Sequence, residues 1–179
     1  MTSPQPPDWR RRPAADEHAP YYAEYVALVA DGDLLETLTR EGAATLARLR
    51  ALPPEREDHR YGPEKWSVRE LVGHCIDGER VFGYRALAFA RGDANPLPGF
   101  DEEEWARTSN AATRSLAELC DDWEAVRAST LRLLSGLDSA ALDRRGTASN
   151  APVTVRALGW IIAGHAAHHR AVLEERYLR

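Results

Sequence analysis

Three of the six histidines fall within five residues, in the run Gly164-His165-Ala166-Ala167-His168-His169. On a helix, residues four apart share a face, with Cβ atoms about 5–6 Å apart. His165 and His169 have that relation, and two imidazoles so placed can bind one metal ion at roughly 2.0–2.1 Å. The neighbouring apolar positions set their direction. Leu158, Ile162, Val172 and Leu173 fall on the same stripe as His165 and His169, which therefore point inward. His168 shares its side with Ile161, Gly164 and Glu175 and points to a flank. Two core histidines, each satisfied by a hydrogen bond, would give the same pattern.

A third histidine, His74, lies beside the apolar stripe of an earlier helix, one turn before Gly78. Facing helices of a bundle build metal sites from inward side chains. His74, His165 and His169 could then form a three-histidine site, and three protein ligands with open positions is the pattern of catalytic metals. Gly78 reads either as clearance above a metal or as a point of close helix packing.

Several motifs are excluded. The position after His165 is Ala166, where a zincin protease needs its glutamate. The Glu-x-x-His pairs of di-iron bundles are missing at these histidines. So are the G-x-S-x-G elbow and the phosphate-binding P-loop. Cys75 follows His74 directly, about 100° away round the helix, so the two do not face one metal. Cys75 and Cys120 read as buried, inert thiols. Asp77 could orient an imidazole or remain a solvated helix aspartate. Glu79 and Arg80 read as surface or pairing residues, and His18 and His59 as residues of polar segments.

The elements that must position these residues are helical. Asp33 with Glu36 opens a helix that runs to Leu52 and stops at Pro53 and Pro54. Tyr21 to Val29 suits a shorter helix before it. Ser67 and Glu70 form a capping box, with Trp66 and Leu71 placed for a hydrophobic staple. Val68, Val72, Cys75, Phe82, Ala86 and Phe89 then mark one helix face up to Gly92. Residues Gly92 to Phe100 read as a loop, and Asp101 caps a short acidic turn, Glu102 to Glu104. A third long helix spans about Thr113 to Ser135. Asp138 to Pro152 is polar, and a last helix runs from Thr154 towards Tyr177. No window alternates convincingly as a strand. The fold class is all-α, a four-helix bundle.

The 179 residues suit one domain. Residues 1–20, with five prolines and the run Arg10-Arg11-Arg12, read as a proline-rich tail or a strap, and residues 21–179 as the bundle domain. A net charge of −5 argues against nucleic acid, and the longest apolar run, Ala157 to Ala163, is too short for a membrane. Two cysteines make no disulfide framework, and the chain has no signal-peptide pattern, so a cytoplasmic location is expected.

Three separated blocks resemble the DinB/YfiT-like family: residues 62–82, from Gly62 to Phe82; residues 90–101, from Ala90 to Asp101; and residues 154–169, from Thr154 to His169. The likeness covers residues 20 to 179. It implies an up-down-down-up four-helix bundle, a homodimer, and a divalent metal, zinc or nickel, on His74, His165 and His169. It further implies a small-molecule substrate and, in some relatives, a low-molecular-weight thiol as co-substrate for thiol-S-transfer or isomerisation. Many other relatives have no known activity, and some are induced by DNA damage or stress. Ala166 departs from the pattern, because many similar members carry glutamate there. Three readings stand: a metal-dependent enzyme, a thiol-S-transferase or hydrolase; a non-catalytic stress or interaction protein with a structural or vestigial metal; and a plain helical dimer with core histidines and no metal.

Overall fold

The computed structural model describes residues 5–178. Four long helices carry the fold: α2 (Leu34–Arg50), α3 (Val68–Ala90), α5 (Leu116–Ser135) and α7 (Val155–Val172). Shorter helices α1 (Ala23–Leu28), α4 (Glu102–Thr108) and α6 (Ser139–Leu142) lie in the connections. The helix starts follow side-chain chemistry. Asp33 caps α2 through Leu35 N and Glu36 N, and Asp101 caps α4 through Glu103 N and Glu104 N. Ser67 with Glu70 closes a reciprocal capping box on α3, and Ser115 with Glu118 does the same on α5. That second box starts α5 at Leu116 rather than at Thr113.

Contacts along the helices fix their directions. Glu41 pairs with Arg170 and Arg48 with Glu174, so α2 and α7 are parallel. Glu79 pairs with Arg127 and a Cβ on Gly73 would meet Ala111, so α3 and α5 are parallel. Arg50 meets Asp121, and Arg127 reaches the Leu38 carbonyl, so α2 and α5 are antiparallel. His74 faces His169 while Gly78 faces His165, so α3 and α7 are antiparallel. The bundle therefore runs up-down-down-up. Parallel neighbours α3 and α5 need a long return, which residues 91–115 with α4 provide.

The polar segment before α7 is not wholly irregular. It forms a two-stranded antiparallel hairpin, β1 (Arg145–Ala148) and β2 (Ala151–Thr154). This corrects the reading without strands. Each strand has four residues, and Gly146 and Pro152 leave no alternation to detect. The turn residues Ser149 and Asn150 have φ of 52° and 62°, the twist that a two-residue hairpin turn demands. Gly146 sits where a Cβ would meet the Phe89 ring at 2.1 Å, so the hairpin can lie on α3.

The N-terminal residues pack on the bundle. Trp9 is 1% exposed, and its indole donates to the Leu134 carbonyl at 3.2 Å. Gly159 leaves space for that ring. Arg12 donates to the carbonyls of Val26 and Val29 at the end of α1, and its guanidinium lies 4.6 Å over the Trp160 ring. Glu17 is buried and accepts from the Thr154 hydroxyl. His18, expected in a polar segment, is buried beside it.

Two apolar clusters fill the bundle. One holds Trp9, Leu34, Phe82, Phe89, Leu134 and Trp160; the other holds Leu49, Val72, Ile76, Leu119, Trp123 and Tyr177. A polar layer crosses between them. There Arg127 donates to both carboxylate oxygens of Glu79, at 2.7 and 2.8 Å, and to the Leu38 carbonyl, while the Trp123 indole donates to Glu79 at 3.0 Å. Glu79 is thus a pairing residue, and Gly42 admits the guanidinium where a Cβ would lie 2.9 Å away. Removing one partner leaves a buried charge uncompensated, at a cost of about 3–5 kcal/mol. Arg127→Met and Glu79→Leu are each expected to lower the unfolding free energy by that amount, and the double variant is expected to recover most of it, as read from the urea midpoint at constant slope.

Candidate metal centre

The three sequence-predicted histidines meet at one point. The distances between Nε2 atoms are 3.0 Å for His74 and His165, 3.1 Å for His74 and His169, and 3.2 Å for His165 and His169. His74 comes from α3, and the other two from successive turns of α7. His74 and His165 are buried, and His169 is half-buried. His168 is half-buried at the rim, its ring 4.9 Å from that of His169.

Helix packing makes room for this meeting. A Cβ on Gly78 would lie 2.9 Å from Cε1 of His165. The open readings of Gly78 thereby resolve: the space is taken by an imidazole. A Cβ on Gly164 would lie 2.0 Å from the Tyr25 carbonyl oxygen, so α1 lies directly on α7. That approach sets the Tyr25 ring edge-on to His165, with centroids 5.6 Å apart. Phe82 covers the same imidazole from α3 at 5.7 Å. Trp66, expected as a staple residue, also lies against His74 at 4.6 Å, and its indole donates to Glu103 on α4.

These walls keep the imidazoles neutral. Burial pushes His74 down to about 4, with the neighbouring His168 adding to the effect. Burial pushes His165 down to about 3, with His74 and His168 adding. Burial and the other histidines push His169 down further still. A neutral imidazole has one ring nitrogen with a free lone pair, which is the form that ligates a metal.

The remaining chemical residues lie elsewhere. Burial, opposed by Arg80, pushes the Asp77 carboxyl up, and Asp77 pairs with Arg80 at 3.6 Å. Cys75 is buried in the second apolar cluster, and burial raises its thiol far above the usual range. Cys120 is pushed up to about 11, again by burial first. Ala166 lines a separate cavity of about 100 Å³ between α1, α2 and α7, together with Thr45 and Arg170. The larger of two cavities that touch His169 has a volume of about 170 Å³ and is lined by Tyr61, Lys65, Trp66, Glu103, His168 and Tyr177. Sequence reasoning missed Trp66 and Glu103 as members of this surround; the indole lies eight residues before His74, outside its helix.

The family model described as the DinB superfamily matches residues 37–173, and the chain belongs to that superfamily. Among solved structures, that of YfiT from Bacillus subtilis, described as a probable metal-dependent hydrolase with an unusual four-helix bundle topology, is similar to this chain with a TM-score of 0.67. The sequences are 17% identical, over 93% of this chain and 91% of that one. No curated protein matches the sequence. Among the described residues, no helix is long and apolar enough to cross a membrane.

The depressed histidines link stability to pH. Below about pH 6.5 the unfolded chain takes up protons that the folded imidazoles refuse, so the unfolded state binds more protons and stability falls with pH. For His74 the loss extends from about 6.5 down to about 4. Urea unfolding of chelator-treated protein is expected to show falling stability across that window, with a shallower slope in His74→Gln than in wild type.

Proposed function

We propose that His74, His165 and His169 hold one divalent metal ion through their Nε2 atoms, and that the protein is a metal-dependent enzyme, a hydrolase or a thiol-S-transferase. One observation carries the reading: three desolvated, neutral imidazoles present Nε2 atoms to one another at 3.0–3.2 Å. Donors at 2.0–2.1 Å from a tetrahedral ion are about 3.3 Å apart, which matches this triangle closely. Hydrogen bonds among the rings fit it worse. Each contact needs one donor and one acceptor, and three mutually close Nε2 atoms cannot satisfy all three contacts. Imidazole donors suit zinc and nickel alike.

When bound, such an ion is a Lewis acid that lowers the pKa of a water or thiol at its open positions. The chain's own contributions are distinct. His74, His165 and His169 would fix the ion from two helices. Trp66, Tyr25 and Phe82 exclude bulk water on the sides they cover. The larger cavity touching His169 gives a small substrate its approach. Glu103, anchored by the Trp66 indole, and His168 at the rim are the candidates to accept a proton, because Ala166 offers none. A low-molecular-weight thiol would enter by the same cavity.

The alternative, a non-catalytic protein with a structural or vestigial metal, is supported by the absence of a carboxylate at Ala166. Elemental mass spectrometry is expected to find about one ion per chain in wild type. His74→Ala, His165→Ala and His169→Ala are expected to lose it, His168→Ala to keep it, and Gly78→Ala to bind more weakly because its methyl displaces His165. A screen of ester, amide and thiol-plus-electrophile substrates then separates the readings. Turnover that disappears with the metal supports an enzyme; a lowered melting temperature on chelation, with no turnover in any arm, supports the structural role.

A further inference from the structure

A further cavity, of about 330 Å³, opens beside α3, against the loop at 97–100 and helix α4. Its walls are mostly apolar, with Tyr84, Leu97, Phe100 and Trp105 prominent. The Phe100 and Trp105 rings lie 4.8 Å apart, tilted by 42°. Tyr84 and Trp105 keep 58% and 42% exposure, unusual for large aromatic side chains on one small patch.

A buried cation forms part of the same wall. Arg85 is only 3% exposed, and it donates to the Pro98 carbonyl at 2.8 Å and to the Ser149 hydroxyl at 3.0 Å. The Phe82 ring lies 5.8 Å from its guanidinium, and the half-buried Tyr22 phenol is beside it. All these neighbours are neutral. Among the described residues, no carboxylate forms an ion pair with Arg85, whereas the other buried arginines are paired, Arg127 with Glu79 and Arg156 with Glu17 and Asp143. A buried charge is expensive unless it is paired. The other charged groups of the cavity neutralise each other: Arg80 pairs with Asp77, and Asp122 of α5, which Arg80 also meets, pairs with Arg114. The cavity thus has an apolar, aromatic wall and one uncompensated positive charge, the composition of a small-molecule site with a single orienting polar group.

We propose that this cleft binds a small aromatic carboxylic acid, with its carboxylate on Arg85 and its ring against Tyr84, Phe100 and Trp105. The planar guanidinium fork matches a carboxylate, and charge-assisted hydrogen bonds of this kind are the strong ones. The assignment is independent of the metal reading, because none of its contacts is a histidine.

Isothermal titration with naphthalene-2-carboxylate and with its neutral carboxamide tests the idea without altering the protein. The acid is expected to bind about tenfold or more tightly than the amide, the margin of one charge-assisted contact. Trp105→Ala and Tyr84→Ala, both at exposed positions, are expected to fold and to weaken the acid by a similar factor. Arg85→Gln is expected to abolish the preference for the acid; its circular dichroism melt shows whether it is folded, and the ligand pair decides if it is not. His165→Ala is expected to bind the acid as wild type does. Equal binding of acid and amide, no binding of either, unchanged binding in Trp105→Ala, or loss in His165→Ala would each overturn the proposal, the last by moving the acid to the histidine cluster.

Discussion

Polar groups buried between apolar layers must satisfy one another, and that requirement organises this bundle. Two apolar clusters are separated by a layer that contains Glu79, Arg127 and the inward histidines. Arg127 alone joins three helices: it sits on α5, grips Glu79 on α3, and donates to a carbonyl of α2. Sliding any of these helices by a turn would strand a charge in the interior, at a cost of several kcal/mol. The ion pair therefore sets the register of α3, and the register of α3 sets the height at which His74 meets α7.

The histidines occupy the remaining edge of that layer, and they differ from the ion pair in being incompletely satisfied. Three Nε2 atoms at mutual hydrogen-bond distance leave at least one contact unmet, and Nδ1 of His169 is buried with no partner. Natural cores seldom tolerate such groups without a reason outside packing. The local devices all serve this arrangement: the bare Gly78 beside His165, the backbone contact at Gly164 that seats Tyr25, and the indole against His74. Each spends helix propensity or chain entropy on holding rings in place rather than on filling volume.

Much of this was legible in the residues. Capping boxes, proline stops and apolar periodicity mark the four long helices, because they are local features with local causes. The inward direction of His165 and His169 follows from their stripe, since Ile162 and Val172 share it. Periodicity places His74 on a helix, but setting it opposite the other two took the bundle argument and the family resemblance, because the partner of a helix face is a tertiary fact. The hairpin was hidden for a different reason. Its strands are short, one contains proline, and what holds it is the fit of Gly146 on Phe89 and a bridge from Leu97 to Ala148, neither visible in a period-two pattern. Arg127 and Arg85 were equally silent, because an arginine on a helix reads as solvated until the packing shows what surrounds it.

Helix α3 also shows how one rigid element can present two chemistries. His74, Gly78 and Phe82 face α7, while Asp77, Val81, Tyr84 and Arg85 border the cleft. Asp77, Val81 and Tyr84 lie on an adjoining stripe of the cylinder, whereas Arg85 returns to the side of His74 and Phe82. Arg85 is three turns beyond His74, about 16 Å along the axis at 1.5 Å per residue. The nearer imidazole, His165, lies opposite Gly78, and the Phe82 ring neighbours both groups, 5.7 Å from the His165 ring and 5.8 Å from the Arg85 guanidinium. Asp77, on the same helix, pairs with Arg80. The helix holds both groups at fixed separation because both are anchored by packing, His74 under Trp66 and Arg85 under Pro98 and Ser149.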